Sequence, residues 1–506
     1  MDGNIAMSFE PSGEIIESPR TLSPRSSRWE DYWRNTLHDD KPREECGVFG
    51  IVAPDEDVAN ITYFGLYSLQ HRGQESAGIT VSDGTELRTV KNVGLVAQVF
   101  DDPNLLEDLR GDLALGHTRY STTGESNLAN VQPMVYEHSQ IGPIAIAHNG
   151  NLTNYQQLRQ ELESDGVVFD SSSDTEAILK LVGKTPGPDM KAVLSRALPR
   201  LKGAFSLVFL TRDSIIGVRD TLGVRPLCIG RLENGGYVIA SETCALDTIR
   251  AKHDRDVDPG EVVIIDRHGI TGFIPQTPCR KATCMLEFIY FARPDSEIMG
   301  RNLYEARRRM GRELARQDLR DPKPISADVV VDVPESATPA AHGYAEELGI
   351  PFRQGVIKSR YITRTFIQPA QSLREAGVRL KFNPVRPVLE GKRVVLVDDS
   401  IIRGTTSVPL VSLLRTAGAR EVHVRVASPP IHHPCFLGID IGSREELLAV
   451  GRSEEEICEI LGADSVRYLQ MDGLVEAVGH AIDNFCLACF NGKYPVTSEL
   501  FAQAEQ

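Results

Sequence analysis

The chain has 506 residues, 41% of them hydrophobic, and it carries 55 Lys and Arg against 70 Asp and Glu, a formal net charge of −15. This length is sufficient for two or three domains with buried cores, and the ordinary apolar content excludes a wholly disordered or fibrous chain. The sequence contains no run of about 18 apolar residues, so we expect no membrane span and no membrane partner. Generic DNA-binding proteins carry a basic excess, so the acidic balance argues against nucleic acid as the main partner.

Residues 1–45 differ in composition from the rest of the chain. The stretch 18–27 is polar and contains two prolines, and charged residues follow it. We find no apolar signal core, and the acidic residues at 39–45 argue against an organelle transit sequence. We therefore predict a disordered leader. Nine cysteines in the whole chain are too sparse for a secreted disulfide scaffold and odd in number, which predicts a reducing, cytoplasmic location.

From residue 45 onward the composition is that of a packed domain. Short runs rich in β-forming residues alternate with helical patterns. Strands are expected at 46–52, 143–148, 204–210 and 237–240, and a helix at 154–164.

In the second part of the chain the pattern changes to strand, loop and helix. The run 328–333 precedes a predicted helix at 339–348, and the run 393–397 precedes one at 405–417. Continuous β-branched runs followed by helices predict a parallel sheet that is buried on both faces. We place the boundary between the two parts near 270–285, and we find no internal repeat.

The most informative stretch is 394–407. A buried strand ends in the acidic pair Asp398 and Asp399, and a loop containing Gly404 then opens a helix. Ligands of open parallel sheets bind at the carboxyl ends of strands, and free amides at a helix start suit a phosphate monoester. The carboxylates would face sugar hydroxyls or Mg²⁺ through its waters. The spacing of a Walker loop is absent, and ordinary turn chemistry is the alternative reading.

This stretch resembles the phosphoribosyl-pyrophosphate loop of type I phosphoribosyltransferases. The resemblance implies that Asp398 and Asp399 contact the ribose hydroxyls and Mg²⁺. It also implies that the loop wraps the 5′-phosphate with Ser400, Arg403, Gly404, Thr405 and Thr406. By the same resemblance Ser336, at the end of a preceding strand, lies near the metal on the pyrophosphate side. The basic segment 358–366, with Lys358 and Arg360, looks like a mobile lid whose cations meet pyrophosphate oxygens, with a solvated loop as the alternative.

Cys46 opens the first predicted strand, directly after the leader. A buried cysteine in that position is usually an inert packing residue. Four later segments change this interpretation, because with Cys46 they resemble, in order and spacing, the class II glutamine amidotransferases that use an N-terminal cysteine nucleophile. These segments are 71–78, 116–122, 147–151 and 173–176.

That resemblance implies a role for each matching residue. Removal of the leader makes Cys46 the first residue, and its α-amine, with a reference pKa of about 8, can activate the thiol. The sulfur then attacks the side-chain amide of glutamine and releases ammonia. Asn149 and the Gly150 amide correspond to the oxyanion hole, Arg119 to the group that holds the substrate carboxylate, and Asp174 to the partner of its α-ammonium. Taken singly, Asn149-Gly150 is also a common turn pair, and Arg119 also suits a structural ion pair.

Four cysteines of the second part form a further candidate site. Cys486 and Cys489 make one Cys-x₂-Cys pair, whereas a zinc ribbon needs two, and coincidence or redox chemistry is the alternative for one pair. With Cys284 and Cys435 they match the [4Fe–4S] ligands of one branch of the glutamine phosphoribosylpyrophosphate amidotransferases, a cluster type that four thiolates bind. Cys279 is a rival for Cys284, but Cys284 adjoins the Phe-Ile-Tyr-Phe-Ala-Arg-Pro-Asp motif as in that family. The cysteines predicted to be ordinary packing residues are Cys228, Cys244 and Cys458.

Both halves occur together in the amidophosphoribosyltransferase family, which the chain resembles from residue 46 to about residue 495. The resemblance implies an α+β fold, an N-terminal-nucleophile αββα sandwich over 46–278, followed by an α/β type I phosphoribosyltransferase domain over 279–470. Residues 471–506 would form a C-terminal segment with cluster ligands. The expected substrates are L-glutamine and 5-phosphoribosyl 1-pyrophosphate, the expected cofactors are Mg²⁺ and a [4Fe–4S] cluster, and the expected assembly is a homotetramer inhibited by purine nucleotides.

Two other function classes fit part of the sequence. Asparagine- or glucosamine-forming class II amidotransferases lack the loop that carries Asp398 and Asp399. A non-catalytic phosphoribosyl-binding regulator would keep that loop but has no need of Cys46, Arg119 and Asp174. The family resemblance implies an enzyme that makes 5-phosphoribosylamine, the committed step of purine synthesis.

Overall fold

A computed structural model describes residues 46–120, 127–278, 280–322, 324–359, 381–441 and 443–496. The predicted leader, Cys279 and most of the lid-like segment, including Arg360, lie outside these residues.

Two antiparallel sheets form the first part of the protein, and they are made from thirteen strands. The strands are β1 (Gly47–Val52), β2 (Ser76–Ser82), β3 (Leu87–Val93), β4 (Leu113–Arg119), β5 (Met134–His138), β6 (Gly142–Leu152), β7 (Gly203–Leu210), β8 (Ser214–Arg219), β9 (Cys228–Arg231), β10 (Tyr237–Ala240), β11 (Lys252–Asp256), β12 (Val262–Asp266) and β13 (Gly269–Phe273). The first sheet has the order β11-β9-β10-β1-β4-β2-β3 and the second the order β13-β12-β8-β7-β6-β5.

Helices cover the outer faces of both sheets. They are α1 (Val58–Ser68), α2 (Val96–Val99), α3 (Pro103–Glu107), α4 (Tyr155–Ser164), α5 (Asp174–Lys184), α6 (Met190–Ala197) and α7 (Thr243–Thr248). In β1, Phe49 and Ile51 pack in the core that includes Leu66 of α1, whereas Val48 packs with Val208 of the second sheet in the core between the sheets. This alternation follows from the two-residue period of a strand. The predicted αββα sandwich is therefore confirmed.

The second part of the chain consists of a four-stranded parallel sheet, several two-stranded pairs and helices. Its strands are β14 (Thr283–Cys284), β15 (Glu297–Ile298), β16 (Arg301–Asn302), β17 (Val329–Asp332), β18 (Val356–Lys358), β19 (Phe382–Pro384), β20 (Arg393–Asp398), β21 (Glu421–Val426), β22 (Ser465–Tyr468) and β23 (Phe485–Cys486). Its helices are α8 (Leu303–Leu319), α9 (Thr338–Leu348), α10 (Arg386–Leu389), α11 (Ser407–Thr416), α12 (Glu454–Leu461), α13 (Met471–Val478) and α14 (Ala488–Asn491), and a π-helix spans Glu287–Phe291.

Four of these strands pair in parallel in the order β17-β20-β21-β22. Val394, Val395 and Val397 of β20 are almost fully buried, as expected for a central strand with helices on both faces. The predicted parallel sheet is confirmed, and α11 begins at Ser407, two residues later than the sequence predicts. Within the described residues, no helix combines the length and apolar character needed to cross a membrane.

The two parts of the chain are in direct contact. The amide of Ala282 donates to the carbonyl of Leu222 at 2.7 Å, and the amide of Cys284 donates to the carbonyl of Val224 at 3.0 Å. Leu222 and Val224 also belong to one hydrophobic core with residues of the second part. The beginning of the second part is thus attached to the first part by backbone hydrogen bonds as well as by apolar packing.

Candidate active sites

Cys46 lies directly before β1, at one end of the first sheet. In the register of β1 and β4, Gly47 is opposite Thr118, so Cys46 lies next to the end of β4 that carries Arg119. The Cys46 thiol is 3.7 Å from the carbonyl oxygen of Tyr120. Arg72 Nε donates to the Cys46 carbonyl at 3.3 Å, and Cys46 is half-buried. The cysteine and the predicted substrate-binding arginine are therefore neighbours.

A histidine connects this end of the first sheet to the second sheet. His117 Nε2 in β4 lies 3.1 Å from the carbonyl oxygen of His148 in β6. Burial lowers the pKa of His117 to about 3, so the ring is neutral at pH 7 and Nε2 donates the hydrogen bond to the carbonyl. His148 directly precedes Asn149, so this hydrogen bond holds the predicted oxyanion-hole residues near the end of β4.

Asn149 presents a buried hydrogen-bond donor. Its residue is 1% exposed, and its Nδ2 atom has no hydrogen-bond partner among the described residues. Buried polar groups normally have partners, so this unused amide, in the residue that follows His148, is suited to a substrate oxygen. The next residue, Gly150, has φ +144°, and a Cβ atom there would lie 2.0 Å from the carbonyl oxygen of Ala204. Only glycine fits at this position of β6.

Asp174 is the first residue of α5 and lies against the same part of β6. Its Oδ2 accepts from the amide of Leu152 at 3.0 Å, and its Oδ1 is 3.6 Å from His148 Nδ1. Burial by itself would raise the pKa of Asp174, but His148 and the amides of Leu152 and Thr175 outweigh burial and hold the pKa below its ordinary value. Asp174 is therefore a buried carboxylate that stays ionised, as a partner of an ammonium group requires.

The acidic pair lies where β20 ends. The Asp399 amide donates to Asp398 Oδ1 at 2.9 Å, Ser400 Oγ donates to Asp399 Oδ1 at 2.8 Å, and Ser407 Oγ is 3.4 Å from Asp398 Oδ2. Both aspartates are almost fully buried. The side chains of Asp398 and Asp399 thus accept hydrogen bonds from the start of the loop 399–406, and the loop leads directly into α11.

Outside contacts support this loop. The Leu448 amide donates to the Ile402 carbonyl at 2.7 Å, and buried Arg403 donates through Nε to Glu446 at 2.9 Å. Arg403, which the sequence places among the ligand-binding residues, therefore also anchors the loop.

Of the other predicted phosphoribosyl residues, Ser336 lies on a loop that begins beside the end of β20, and Lys358 lies in a separate two-stranded sheet. The Val333 amide donates to the Val397 carbonyl at 2.9 Å, so the loop that contains Ser336 begins beside the end of β20. The peptide between Pro334 and Glu335 is cis. Lys358 ends β18, which pairs with β19 in a separate two-stranded sheet.

The four cysteines of the predicted cluster come from three segments that meet. Cys284 and Cys486 are register partners in the parallel pair β14 and β23. The carbonyl of Cys489 accepts from the amides of His432 and His433 at 2.9 and 3.0 Å, which brings the segment with Cys435 to the same place. Burial raises the pKa of Cys284 to about 11, and it also raises the pKa values of Cys486 and Cys489 well above the ordinary value of a thiol.

These thiols influence one another electrostatically: Cys284, Cys435 and Cys486 each contribute to raising the pKa of Cys489. Even so, in the part of the chain that the structure describes, no three His, Cys, Asp or Glu side chains are arranged as a metal site. The four predicted cluster cysteines therefore lie on segments that are in contact, but their side chains are not arranged as metal ligands.

Comparison with known proteins agrees with the division of the chain into two different parts. Residues 101–276 match a glutamine amidotransferase domain, and residues 301–428 match a phosphoribosyl transferase domain. The chain is 50% identical over 464 residues to an amidophosphoribosyltransferase of Synechococcus elongatus, covering 90% of this chain and 92% of that one. The chain belongs to the amidophosphoribosyltransferase family. It is therefore a pentosyltransferase of purine biosynthesis.

A solved structure shows the same fold. It is that of glutamine phosphoribosylpyrophosphate amidotransferase from B. subtilis complexed with ADP and GMP, with a TM-score of 0.83 and 47% identity. The match covers 89% of this chain and 98% of the other. A relative from Arabidopsis thaliana, described as chloroplastic, is 48% identical over 482 residues, 95% of this chain and 84% of that one.

A buried ionic network between the two parts of the chain was missed by the sequence analysis. Arg72 donates to Glu242 and, at 2.9 Å, to Glu287 at the start of the π-helix. Glu242 also accepts from Ser296 Oγ and lies within hydrogen-bond distance of His71 Nε2, both at 2.7 Å. Arg72 and both glutamates are buried. The signals in the sequence were the His-Arg pair of segment 71–78 and the acidic residue that precedes the aromatic motif.

Arg307 of α8 was also missed. It is buried and donates to the carbonyls of Phe288 and Ala292 at 2.8 and 2.6 Å. Burial lowers the pKa of Arg307 to about 10, and the negative charge of Asp399 opposes that decrease. Arg307 thus connects the aromatic motif electrostatically with the acidic pair, and no local pattern distinguished it from the other arginines of its helix.

Glu242→Gln is expected to destabilise the protein by about 3–5 kcal/mol at pH 7, because it removes one partner from a buried charge pair. Burial would raise the pKa of Glu242, but His71 and Arg72 outweigh it and hold this pKa below its ordinary value of 4.5. The stabilisation is therefore complete above about pH 4.5 and is lost as the pH falls.

Urea unfolding of the wild type and the variant at pH 7 and at lower pH measures this difference, with exposed Glu476→Gln as the control. The difference between Glu242→Gln and the wild type should shrink below about pH 4.5. A pH-independent difference would contradict the ionic role.

Proposed function

We propose that the two candidate sites divide one reaction between them, with Cys46 releasing ammonia from glutamine and the acidic pair binding 5-phosphoribosyl 1-pyrophosphate. The observation that carries the first assignment is the unused, buried Asn149 amide beside the strand end that holds Cys46. In this scheme the Cys46 sulfur attacks the glutamine side-chain carbonyl, and the oxygen that becomes negative is held by Asn149 Nδ2 and the Gly150 amide. Arg119 holds the α-carboxylate and Asp174 the α-ammonium.

The first half-reaction proceeds through a thioester. The free α-amine of Cys46 accepts the thiol proton, which then goes to the departing ammonia. Water hydrolyses the thioester and regenerates the thiol with glutamate as product. The α-amine is available as a base only when Cys46 is the first residue, so the proposal includes removal of residues 1–45.

In the second half-reaction ammonia attacks the anomeric carbon of the phosphoribosyl group as its bond to pyrophosphate breaks. Ammonia loses a proton to water, and 5-phosphoribosylamine and pyrophosphate leave. Asp398 and Asp399 orient the ribose hydroxyls, while the amides and hydroxyls of loop 399–406 bind the 5′-phosphate. Lys358 and Arg360 are proposed to meet the pyrophosphate.

The donor set at the end of β20 suits Mg²⁺. Two carboxylates, and the hydroxyl of Ser336 on the loop that begins beside the end of β20, are hard oxygen ligands. This ion is commonly held by one or two carboxylates together with substrate phosphates. When bound, Mg²⁺ neutralises charge on the departing pyrophosphate. The protein's own contribution is to hold Asp398 and Asp399 in place through Ser400 and Ser407.

The four cysteines are proposed to bind a [4Fe–4S] cluster. Four thiolates form the usual ligand set, and Cys284 and Cys486 already lie side by side on paired strands. Buried thiolates need compensating positive charge, which iron and the buried Arg225 next to Cys284 and Cys486 supply. The cluster would tie β14, β23 and the loop of Cys435 together.

Further features of the enzyme follow from its family. Purine nucleotides are proposed as feedback inhibitors, since the B. subtilis relative was solved with ADP and GMP. A homotetramer is proposed as the assembly, and 46–278, 279–470 and 471–506 as the functional units. The cysteine usage supports a cytoplasmic location, although some plant relatives are described as chloroplastic.

Protein purified from its native cell is expected to begin at Cys46, because only a free α-amine gives this thiol an adjacent base. Intact mass should therefore lack residues 1–45. Full activity in a preparation that retains Met1 would contradict the proposed base.

Anaerobically purified protein is expected to be brown and to contain about four iron and four sulfide per chain. Cys486→Ser should lose the iron and much of the folded protein, because cluster binding and folding are coupled. The matched control is Cys458→Ser, whose thiol donates to the Ala463 carbonyl at 3.2 Å and is not among the predicted cluster ligands. Stoichiometric zinc without iron would instead indicate a structural zinc site.

Cys46→Ala is expected to abolish synthesis from glutamine and to leave synthesis from ammonium salts, because the residue serves only ammonia release. Asp399→Asn should lower both activities about ten- to a hundred-fold, as a charged contact worth about 1.5–3 kcal/mol is lost. Both activities are measured at saturating Mg²⁺.

The control for the second variant is Asp472→Asn at an exposed helix position, which should retain both activities. The division of roles is wrong if folded Cys46→Ala loses the ammonia-dependent activity or if Asp399→Asn retains full activity with either nitrogen donor.

A further inference from the structure

A short segment of the second part of the chain, Phe436 to Gly438, lies against the backbone that follows Asn149. Asn151 Nδ2 donates to the carbonyl of Phe436 at 3.0 Å. A Cβ atom added at Gly438 would lie 3.1 Å from the carbonyl carbon of Gly150 and 3.3 Å from the amide nitrogen of Asn151. The peptide that joins Gly150 to Asn151 is therefore in close contact with a segment almost 300 residues away.

The same segment is held from its other side by a buried arginine. Arg225 Nη2 donates to the carbonyl of Leu437 at 2.7 Å, and a Cβ atom at Gly438 would lie 2.9 Å from this nitrogen. Arg225 is fully buried, and its Nη1 is 3.8 Å from Glu287 Oε1. The Leu437 amide also donates to the thiol of Cys435 at 3.4 Å.

These contacts leave the segment little freedom. Leu437 and Gly438 are buried, and Gly438 has φ +101°, a conformation that residues other than glycine rarely adopt. Its lack of a side chain allows the segment to approach Gly150 and Arg225 at once. The position therefore combines a conformational and a steric requirement for glycine.

We propose that Phe436–Gly438 is a positioning element for the oxyanion hole, through which the second part of the chain sets the direction of the Gly150 amide and the Asn149 side chain. The proposal rests on the proposed role of Asn149 and Gly150. Oxyanion stabilisation depends on donors placed before the charge develops, and a misplacement of about 1 Å can cost about a hundredfold in rate. The segment acts through its contacts with the Gly150–Asn151 peptide and with the Asn151 side chain.

The proposal predicts a specific kinetic change in Gly438→Ala. The added methyl group must push against the Gly150–Asn151 peptide, so kcat for glutamine hydrolysis should fall about ten- to a hundred-fold while KM for glutamine changes less than about twofold. Synthesis from ammonium salts should stay within about twofold of the wild type. Both are measured at saturating 5-phosphoribosyl 1-pyrophosphate and Mg²⁺.

The matched control is Gly451→Ala. Gly451 also has a positive φ, +67°, but a Cβ atom there would meet nothing within 4 Å. This variant carries the backbone strain without the collision and should retain glutamine hydrolysis. Thermal unfolding of both variants verifies that they are folded.

Asn151 variants test the same contact without added bulk. Asn151→Ala removes the hydrogen bond to Phe436, and kcat for glutamine hydrolysis should fall about three- to tenfold. Asn151→Asp places a carboxylate against the Phe436 carbonyl and should be slower than Asn151→Ala. Ammonia-dependent synthesis should again be retained in both.

Asn149→Ala serves as the reference for the proposed function. If it loses glutamine hydrolysis while Gly438→Ala and Asn151→Ala keep the wild-type kcat, the positioning role is overturned and the oxyanion hole stands. If Asn149→Ala itself retains hydrolysis, the oxyanion assignment is wrong and the positioning role falls with it. A parallel loss of ammonia-dependent synthesis in Gly438→Ala would mean general structural damage and would also overturn the proposal.

Discussion

The buried charges between the two parts of the chain are the constraint on which the rest of the structure depends. Arg72 and Arg225 lie with Glu242 and Glu287 in a region from which water is excluded. A buried charge without a partner is strongly destabilising, whereas a paired one is tolerated. Because the first three come from the first part and Glu287 from the second, the two parts must be assembled for the network to be complete.

This network lies between the two candidate sites. Arg72 donates to the carbonyl of Cys46 and to Glu287, and Glu287 begins the π-helix whose Phe288 carbonyl accepts from Arg307. The charge of Asp399 in turn acts on Arg307. A series of polar contacts, completed by the charge of Asp399, therefore connects Cys46 with the acidic pair, although each candidate site is built on its own strands.

The two sites are built on different principles of chain geometry. In the sandwich, antiparallel strands from two sheets bring Cys46, Arg119 and Asn149 together, and a hydrogen bond between His117 and the backbone of His148 keeps the sheets in register there. In the parallel sheet, the carboxyl ends of neighbouring strands lie at one edge, so the acidic pair and the loop of Ser336 meet there, as ligand sites of such sheets generally do.

Local sequence was sufficient for much of this enzyme. The parallel sheet follows from continuous β-branched runs followed by helices, and the loop after β20 from an acidic pair, a glycine and hydroxyl residues within one short stretch. The αββα sandwich was implied by the family resemblance. The elements agree with prediction to within a few residues because their signals are local. The family resemblance likewise lies in short motifs, which selected Cys46, Asn149 and Asp174 as candidates.

Tertiary structure alone decided which distant residues meet. Asn151 and Phe436 are separated by 285 positions, and Arg72 and Glu287 by 215. Neither contact has a local signature, because a buried arginine or a glycine in close contact looks in sequence like any other arginine or glycine. Their roles come from burial, which makes an unpaired charge costly, and from close packing, which leaves no room for a side chain at Gly438.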